Sequence, residues 1–188
     1  MAGLACGIIK AQLIYKKTMP ILAPHAFEFF SRSPEQTRRV GVRLGSLLQK
    51  GQSVLLSGDL GSGKTTLVQG IAQGWGSPDN VTSPTFVIMN EYRHPVNGSL
   101  FHADAYRLSA ESPFDLEILD LDRALRDGVL VVEWAERIGK ALPREHLLVE
   151  MFYSSPDQRH LIITPKGKAY QAITKKMQQA LFGNWSLV

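Results

Sequence analysis

The sequence predicts an α/β fold of three layers, built on a mixed, mostly parallel sheet with antiparallel hairpins. Three observations carry that expectation. Ser53–Ser57 and Val129–Val132 are short continuous apolar runs, the pattern of strands buried on both faces. Amphipathic helical repeats alternate with these runs. Two further pairs of strand-like runs are separated by short turn segments, as hairpins are.

Taken in order, Ala26–Phe30 reads as a short edge strand. Ser33-Pro34-Glu35-Gln36 then opens a helix, with Ser as N-cap, Pro in the first turn and Gln three residues after the cap. Val40, Leu44, Leu47 and Leu48 form its apolar face, and Gly51 is expected to stop it. After the strand Ser53–Ser57 and a glycine loop, Leu67, Val68, Ile71 and Trp75 repeat at helical spacing up to Gly76. Phe86–Tyr92 and Leu100–Asp104 read as strands joined through Pro95–Ser99, which contains Asn-Gly. Ser112–Arg126 reads as one acidic helix closed by Asp127-Gly128. The strand Val129–Val132 delivers Glu133-Trp134, and a short helix is expected as far as Leu142, before Pro143. His146–Phe152 and Arg159–Thr164 pair across Ser154–Gln158, and Lys168–Phe182 closes the chain with Ile173, Met177 and Leu181 on one face.

Composition bounds the function. A chain of 188 residues with 44% hydrophobic and 20% charged residues is long enough for one ordinary core and is not a disordered or coiled-coil sequence. Its one cysteine, Cys6, excludes an internal disulfide and a multi-cysteine zinc site. No apolar run approaches the ~18 residues of a membrane span, so no membrane association is expected. The net charge of +4 comes from the ends. Met1–Thr18 carries three lysines and no acid, Tyr153–Val188 has five basic residues against Asp157, and the stretch between holds 13 basic against 16 acidic residues. Residues 1–18 lack the charge order of a secretory signal and read as an extension or an early start, with Met19 the functional start and 19–188 one domain.

Gly58-Asp59-Leu60-Gly61-Ser62-Gly63-Lys64-Thr65 fits G-x-x-x-x-G-K-[ST], a string expected by chance in roughly one chain in a hundred of this size. Here it also stands between a buried strand and an amphipathic helix, the context its chemistry requires. Glycines let successive N–H groups turn toward phosphate oxygens, and the helix adds its positive end. Lys64 would reach the β- and γ-phosphates, and the Thr65 hydroxyl would bind Mg²⁺. The sequence therefore predicts a P-loop NTPase-like domain. No Asn-Lys-x-Asp guanine reader occurs in the chain, which favours ATP.

A nucleotide-bound Mg²⁺ wants a carboxylate at the end of a neighbouring strand. Glu133, after Val129–Val132, is the closer match, and Asp104, after Leu100–Ala103, is the other. Val81–Phe86 is a hydroxyl-rich loop placed where a γ-phosphate sensor would lie. From the residues alone it reads as an ordinary loop and His102 as structural, while Trp134 reads equally as core or as a nucleotide contact.

Together the glycine loop Gly58–Thr66, Thr82-Ser83-Pro84-Thr85-Phe86, His102-x-Asp104-x-Tyr106-Arg107 and Val132-Glu133-Trp134 resemble the TsaE (YjeE) family over roughly Pro20 to Thr164. The resemblance implies a small bacterial P-loop ATPase needed for threonylcarbamoyladenosine on tRNA. It implies cytoplasmic work with TsaD and TsaB, the tRNA being met indirectly through that complex. It also implies that Gly61 and Ser62, Gly63, Lys64, Thr65 and Thr66 hold phosphate, with Thr65 and Glu133 as Mg²⁺ ligands. Asp104 would orient water or bind metal through water, and Thr82–Phe86, with Thr85, would be switch-like. Thr37, Trp134 and Arg159 would approach the nucleotide. Slow ATP hydrolysis coupled to partners is the expected activity, with a small-molecule P-loop kinase and a basic nucleic-acid module as rivals.

Overall fold

The computed structural model describes residues 22–84 and 88–183. The expected extension at 1–18, Met19 and Thr85 lie outside them. The strands are β1 (Phe27–Ser31), β2 (Ser53–Ser57), β3 (Met89–His94), β4 (Gly98–Asp104), β5 (Gly128–Glu133), β6 (His146–Ser155) and β7 (Gln158–Lys166). The helices are α1 (Pro34–Gly45), α2 (Lys64–Trp75), α3 (Pro113–Ile118), α4 (Leu121–Asp127) and α5 (Lys168–Phe182).

The strands form one sheet in the order β1-β7-β6-β2-β5-β4-β3. β6, β2, β5 and β4 are mutually parallel, and the antiparallel pairs β3–β4, β6–β7 and β1–β7 flank them. The fold class is therefore the expected one. β2 and β5 lie at the centre because their apolar runs can be covered on both sides: Val54, Leu55, Leu56 and Val129–Val132 are all buried. One core, with Leu44, Leu67, Ile71, Val131 and Met177, fills the space beneath α1, α2 and α5. The second, with Leu55, Phe101, Leu119, Leu130 and Ile138, lies on the other face beneath α3 and α4.

Helix α1 starts as its sequence demands. Ser33 Oγ accepts from the Gln36 N–H at 3.2 Å, with Pro34 in the first turn. The Gln36 side chain closes back on the Arg32 N–H at 2.6 Å, one residue before the cap. Its glycines were invisible as packing residues. A Cβ on Gly41 or Gly45 would fall on the main-chain oxygen of Leu67 or Ile71, and one on Gly70 or Gly74 of α2 on that of Arg38 or Val42. The two helices touch backbone to backbone.

Several boundaries differ from expectation. α1 ends at Gly45 rather than reaching Gly51; Leu47 and Leu48 follow in tight turns that bond to Leu44 O and Gly45 O, and Leu48 still reaches the core. The single helix expected over Ser112–Arg126 is two, because Leu119 turns fully into the core and Asp120, at φ +37°, restarts the chain by capping Arg123 N–H. The short helix expected before Pro143 is a pair of 3-10 turns, Ala135–Arg137 and Gly139–Ala141. The hairpin β6–β7 is longer than its apolar runs, turning at Pro156–Asp157.

Candidate active site

The C-terminal ends of β2, β5 and β4 lie side by side, the edge at which open α/β sheets take their ligands. β2 leads into the glycine loop and then α2. Gly61 and Gly63 hold φ +77° and +97°, backbone that favours glycine and lets the loop curl over the start of α2. Ser62, between them, is fully buried, and its Oγ has no hydrogen-bond partner among the described residues.

Lys64 folds back into this loop. Its Nζ donates to Gly58 O at 2.6 Å and Asp59 O at 3.0 Å, and lies 3.8 Å from the centre of the Trp134 ring. Burial pushes the ammonium below the ordinary lysine pKa, and the carboxylates of Glu133, Glu136, Asp104 and Asp59 oppose that shift. One residue on, Thr65 Oγ1 donates to the Glu133 carboxylate, at 2.9 Å to Oε1 and 3.1 Å to Oε2. Glu133 is only 3% exposed at the end of β5, and Oε1 also accepts from His102 Nε2 at 2.9 Å. Asp104 ends β4 in direct register with Glu133 and is less buried; its Oδ1 accepts from the Tyr106 N–H at 2.9 Å.

These groups line a cleft of about 670 Å³, the size of a small-ligand site. Of the residues singled out by sequence, Gly61, Gly63, Lys64, Thr65 and Thr66 form one wall. Asp104, Glu133, Trp134 and Arg159 face them. Arg159 reaches across from β7, Nε donating to Gly61 O at 3.2 Å. Thr37 stands apart: its hydroxyl is buried against Ser31 Oγ at 2.7 Å, beside a side cavity of about 40 Å³ shared with Gly63, Thr66 and Arg159. The loop flagged between α2 and β3 is described as far as Pro84; Ser83 and Pro84 line the cleft, and Tyr92 Oη binds the main-chain N–H and C=O of Thr82.

Sequence reasoning did not find the role of His102. Its one available signal was the spacing His102-x-Asp104, which puts both residues on one side of a strand. Nor did it find Asp115, which reaches the cleft from α3 while accepting from the Ser109 N–H at 3.1 Å.

The parallel core, the loop at the end of β2 and the helix it opens make this an α/β protein of P-loop type. A family model described as threonylcarbamoyl adenosine biosynthesis protein TsaE matches residues 31–161, and the chain belongs to the TsaE family. A Streptomyces coelicolor protein named tRNA threonylcarbamoyladenosine biosynthesis protein TsaE is 43% identical over 140 residues, covering 71% of this chain and 93% of its own. One of the same name from Bacillus subtilis is 36% identical over 148 residues, covering 78% and 90%. The crystal structure of YdiB from Bacillus subtilis superposes with a TM-score of 0.68 at 30% identity, covering 82% of this chain and 95% of that one. Among the described residues no helix is long and apolar enough to cross a membrane.

Proposed function

We propose that this chain binds ATP with Mg²⁺ and hydrolyses it slowly, and that the turnover serves threonylcarbamoyladenosine formation on tRNA in the cytoplasm through TsaD and TsaB. The observation that carries the proposal is the meeting of Thr65 and Glu133 at the mouth of the glycine loop. The relatives' names supply the pathway.

The donor set suits magnesium. A hydroxyl and a carboxylate are hard oxygen ligands, and Mg²⁺ is ordinarily held by one or two such groups plus substrate phosphate and water. Among the described residues no three His, Cys, Asp or Glu side chains gather as an all-protein cage would need. Bound Mg²⁺ would neutralise phosphate charge. Lys64, now satisfied by two loop carbonyls, would turn its Nζ to the β- and γ-phosphates, whose negative charge would favour the ammonium that burial disfavours. The loop N–H groups and the start of α2 would hold the remaining phosphate oxygens. Asp104, beside Glu133 but less buried, would orient the attacking water or bind the metal through water. Positioning and electrostatics of this kind are sufficient for phosphoryl transfer to water.

The test pairs two variants. Lys64→Ala should abolish nucleotide binding measured by calorimetry. Glu133→Ala should cut Mg²⁺-dependent phosphate release at least about tenfold while sparing much of the nucleotide binding. Undiminished hydrolysis in both variants overturns the site. Transfer of the γ-phosphate to a small-molecule acceptor, rather than to water, overturns the ATPase reading in favour of a kinase.

A further inference from the structure

His102 is wholly buried on β4, and its Nε2 donates to Glu133 Oε1 at 2.9 Å. Its Nδ1 is buried too and has no hydrogen-bond partner among the described residues. The ring lies beside Tyr92, with centroids 6.2 Å apart. Its neighbours along β4, Leu100, Phe101 and Ala103, are buried and apolar. An apolar side chain would fill the same space without leaving a ring nitrogen unpaired. What the imidazole adds is one hydrogen bond, and that bond ends on the carboxylate that faces Thr65.

We infer that His102 is a positioning residue for Glu133: it fixes the carboxylate in the orientation that Mg²⁺ binding requires. This rests on the reading of Thr65 and Glu133 as the metal ligands. Glu133 is held from two sides, by a hydroxyl on α2 and by an imidazole on β4. The Thr65 bond must be given up when both groups turn their lone pairs to a cation. The His102 bond survives that exchange, so it alone keeps Oε1 tied to the sheet and stops the carboxylate rotating about its last torsion. Outer-shell partners of this kind ordinarily change metal affinity by about 10- to 100-fold.

Two substitutions separate positioning from packing. His102→Phe keeps a ring beside Tyr92 but removes the donor; His102→Gln restores an N–H near the position of Nε2. Mg²⁺ is titrated by calorimetry into the full chain holding the non-hydrolysable analogue AMP-PNP, with Glu133→Gln as reference, and AMP-PNP binding is measured separately in EDTA. His102→Phe should raise the Mg²⁺ dissociation constant about tenfold or more. Its affinity for AMP-PNP without metal should stay within about twofold of the parent, and His102→Gln should recover most of the loss. Parental Mg²⁺ affinity in His102→Phe, with Glu133→Gln impaired, overturns the positioning role and leaves the metal site standing. Equal impairment of the Phe and Gln variants, in metal-free as well as metal-dependent binding, makes His102 a packing residue and also overturns it. Unchanged Mg²⁺ affinity in Glu133→Gln removes the metal assignment, and the inference falls with it.

Discussion

Trp134 holds φ +58° and ψ 40°, a left-handed conformation that costs a non-glycine residue about 1–2 kcal/mol. The strain is local and its setting explains why it is kept. The chain leaves β5 and bends sharply, so Glu133 points at Thr65 while the next side chain swings over Lys64. Tyr106 packs on the same indole at 4.9 Å between ring centres. The sequence showed a tryptophan after a buried strand and left core and cleft equally open, because nothing in a run of residue types reports a positive φ at a bulky side chain. Lys64, Thr65 and Glu133 were legible for the opposite reason: their chemistry depends on residue type at fixed spacing along one loop and one strand end. Among the described residues, Trp134 is thus the indole that should report occupancy of the cleft, whereas Trp75 is 6% exposed and belongs to the core under α2. Trp134→Phe should abolish the change in intrinsic fluorescence that ATP produces. It should alter nucleotide affinity by less than about tenfold, since a cation–π contact is worth about 0.5–2 kcal/mol and phenylalanine retains part of it. A fluorescence change that persists in the variant would place the reporting indole elsewhere.

The helix pair α1–α2 shows what element-level reading misses. Periodicity found both helices from their apolar faces, and Ser33 found the start of α1. The glycines at 41, 45, 70 and 74 carry no such periodic signal, and glycine is a poor helix former. In the fold they are contact residues, each pressed on the main chain of the other helix. Long-range contact of this kind leaves no local signature, and the same limitation split Ser112–Arg126, where the tertiary need to bury Leu119 overrode a continuous helical pattern. Because a Cβ on Gly41 would meet Leu67 O and the Cα of Gly70, no side-chain rotamer can relieve the clash and the helices must separate. Gly41→Ala should therefore destabilise the protein by about 1–3 kcal/mol, the usual cost of overpacking, despite the gain in helix propensity. Gly139→Ala, where a new Cβ meets nothing within 4 Å, is the matched control and should stay within about 0.5 kcal/mol of the parent. Urea unfolding of the three proteins checks both; a neutral or stabilising Gly41→Ala would mean that the helices are not held at backbone contact.

At the scale of the whole molecule, the parallel centre and the two hairpins were readable from apolar runs and turn residues. The order β1-β7-β6-β2-β5-β4-β3 was not, because pairing β6 to β2 and β1 to the far edge depends on crossovers that local pattern does not encode. Charge behaves in the same way. The surplus placed at the chain ends is joined in space by an internal helix: α5, with Lys168, Lys175 and Lys176, packs against α1, with Arg38, Arg39 and Arg43 against Glu35. That basic layer covers the opposite face of the sheet from α3 and α4, which carry Asp115, Glu117, Asp122 and Asp127 against Arg123 and Arg126. The cleft lies at the strand ends rather than on this layer, and Arg38, Arg39 and Arg43 do not line it. Within the cleft, Arg159 donates through Nε to Gly61 O, and its Nη1 is within 3.2 Å of the carbonyls of Ser155, Pro156 and Gln158. A guanidinium held through Nε and Nη1 in this way ties the turn of the β6–β7 hairpin to the glycine loop. On the ATPase reading proposed above, hydrolysis by the isolated chain should be slow, and a partner that closes the open cleft with its own cation or orders the rim at Tyr106 and Arg107 should raise it. Adding TsaD and TsaB should therefore raise the rate of phosphate release at least about tenfold, within the roughly 10³- to 10⁵-fold that an arginine supplied in trans can give. Arg159→Ala should loosen the loop and weaken ATP binding while leaving the fold-stimulation by partners largely intact. A fast rate in the isolated chain, or one unmoved by both partners together, would separate ATP turnover from the complex.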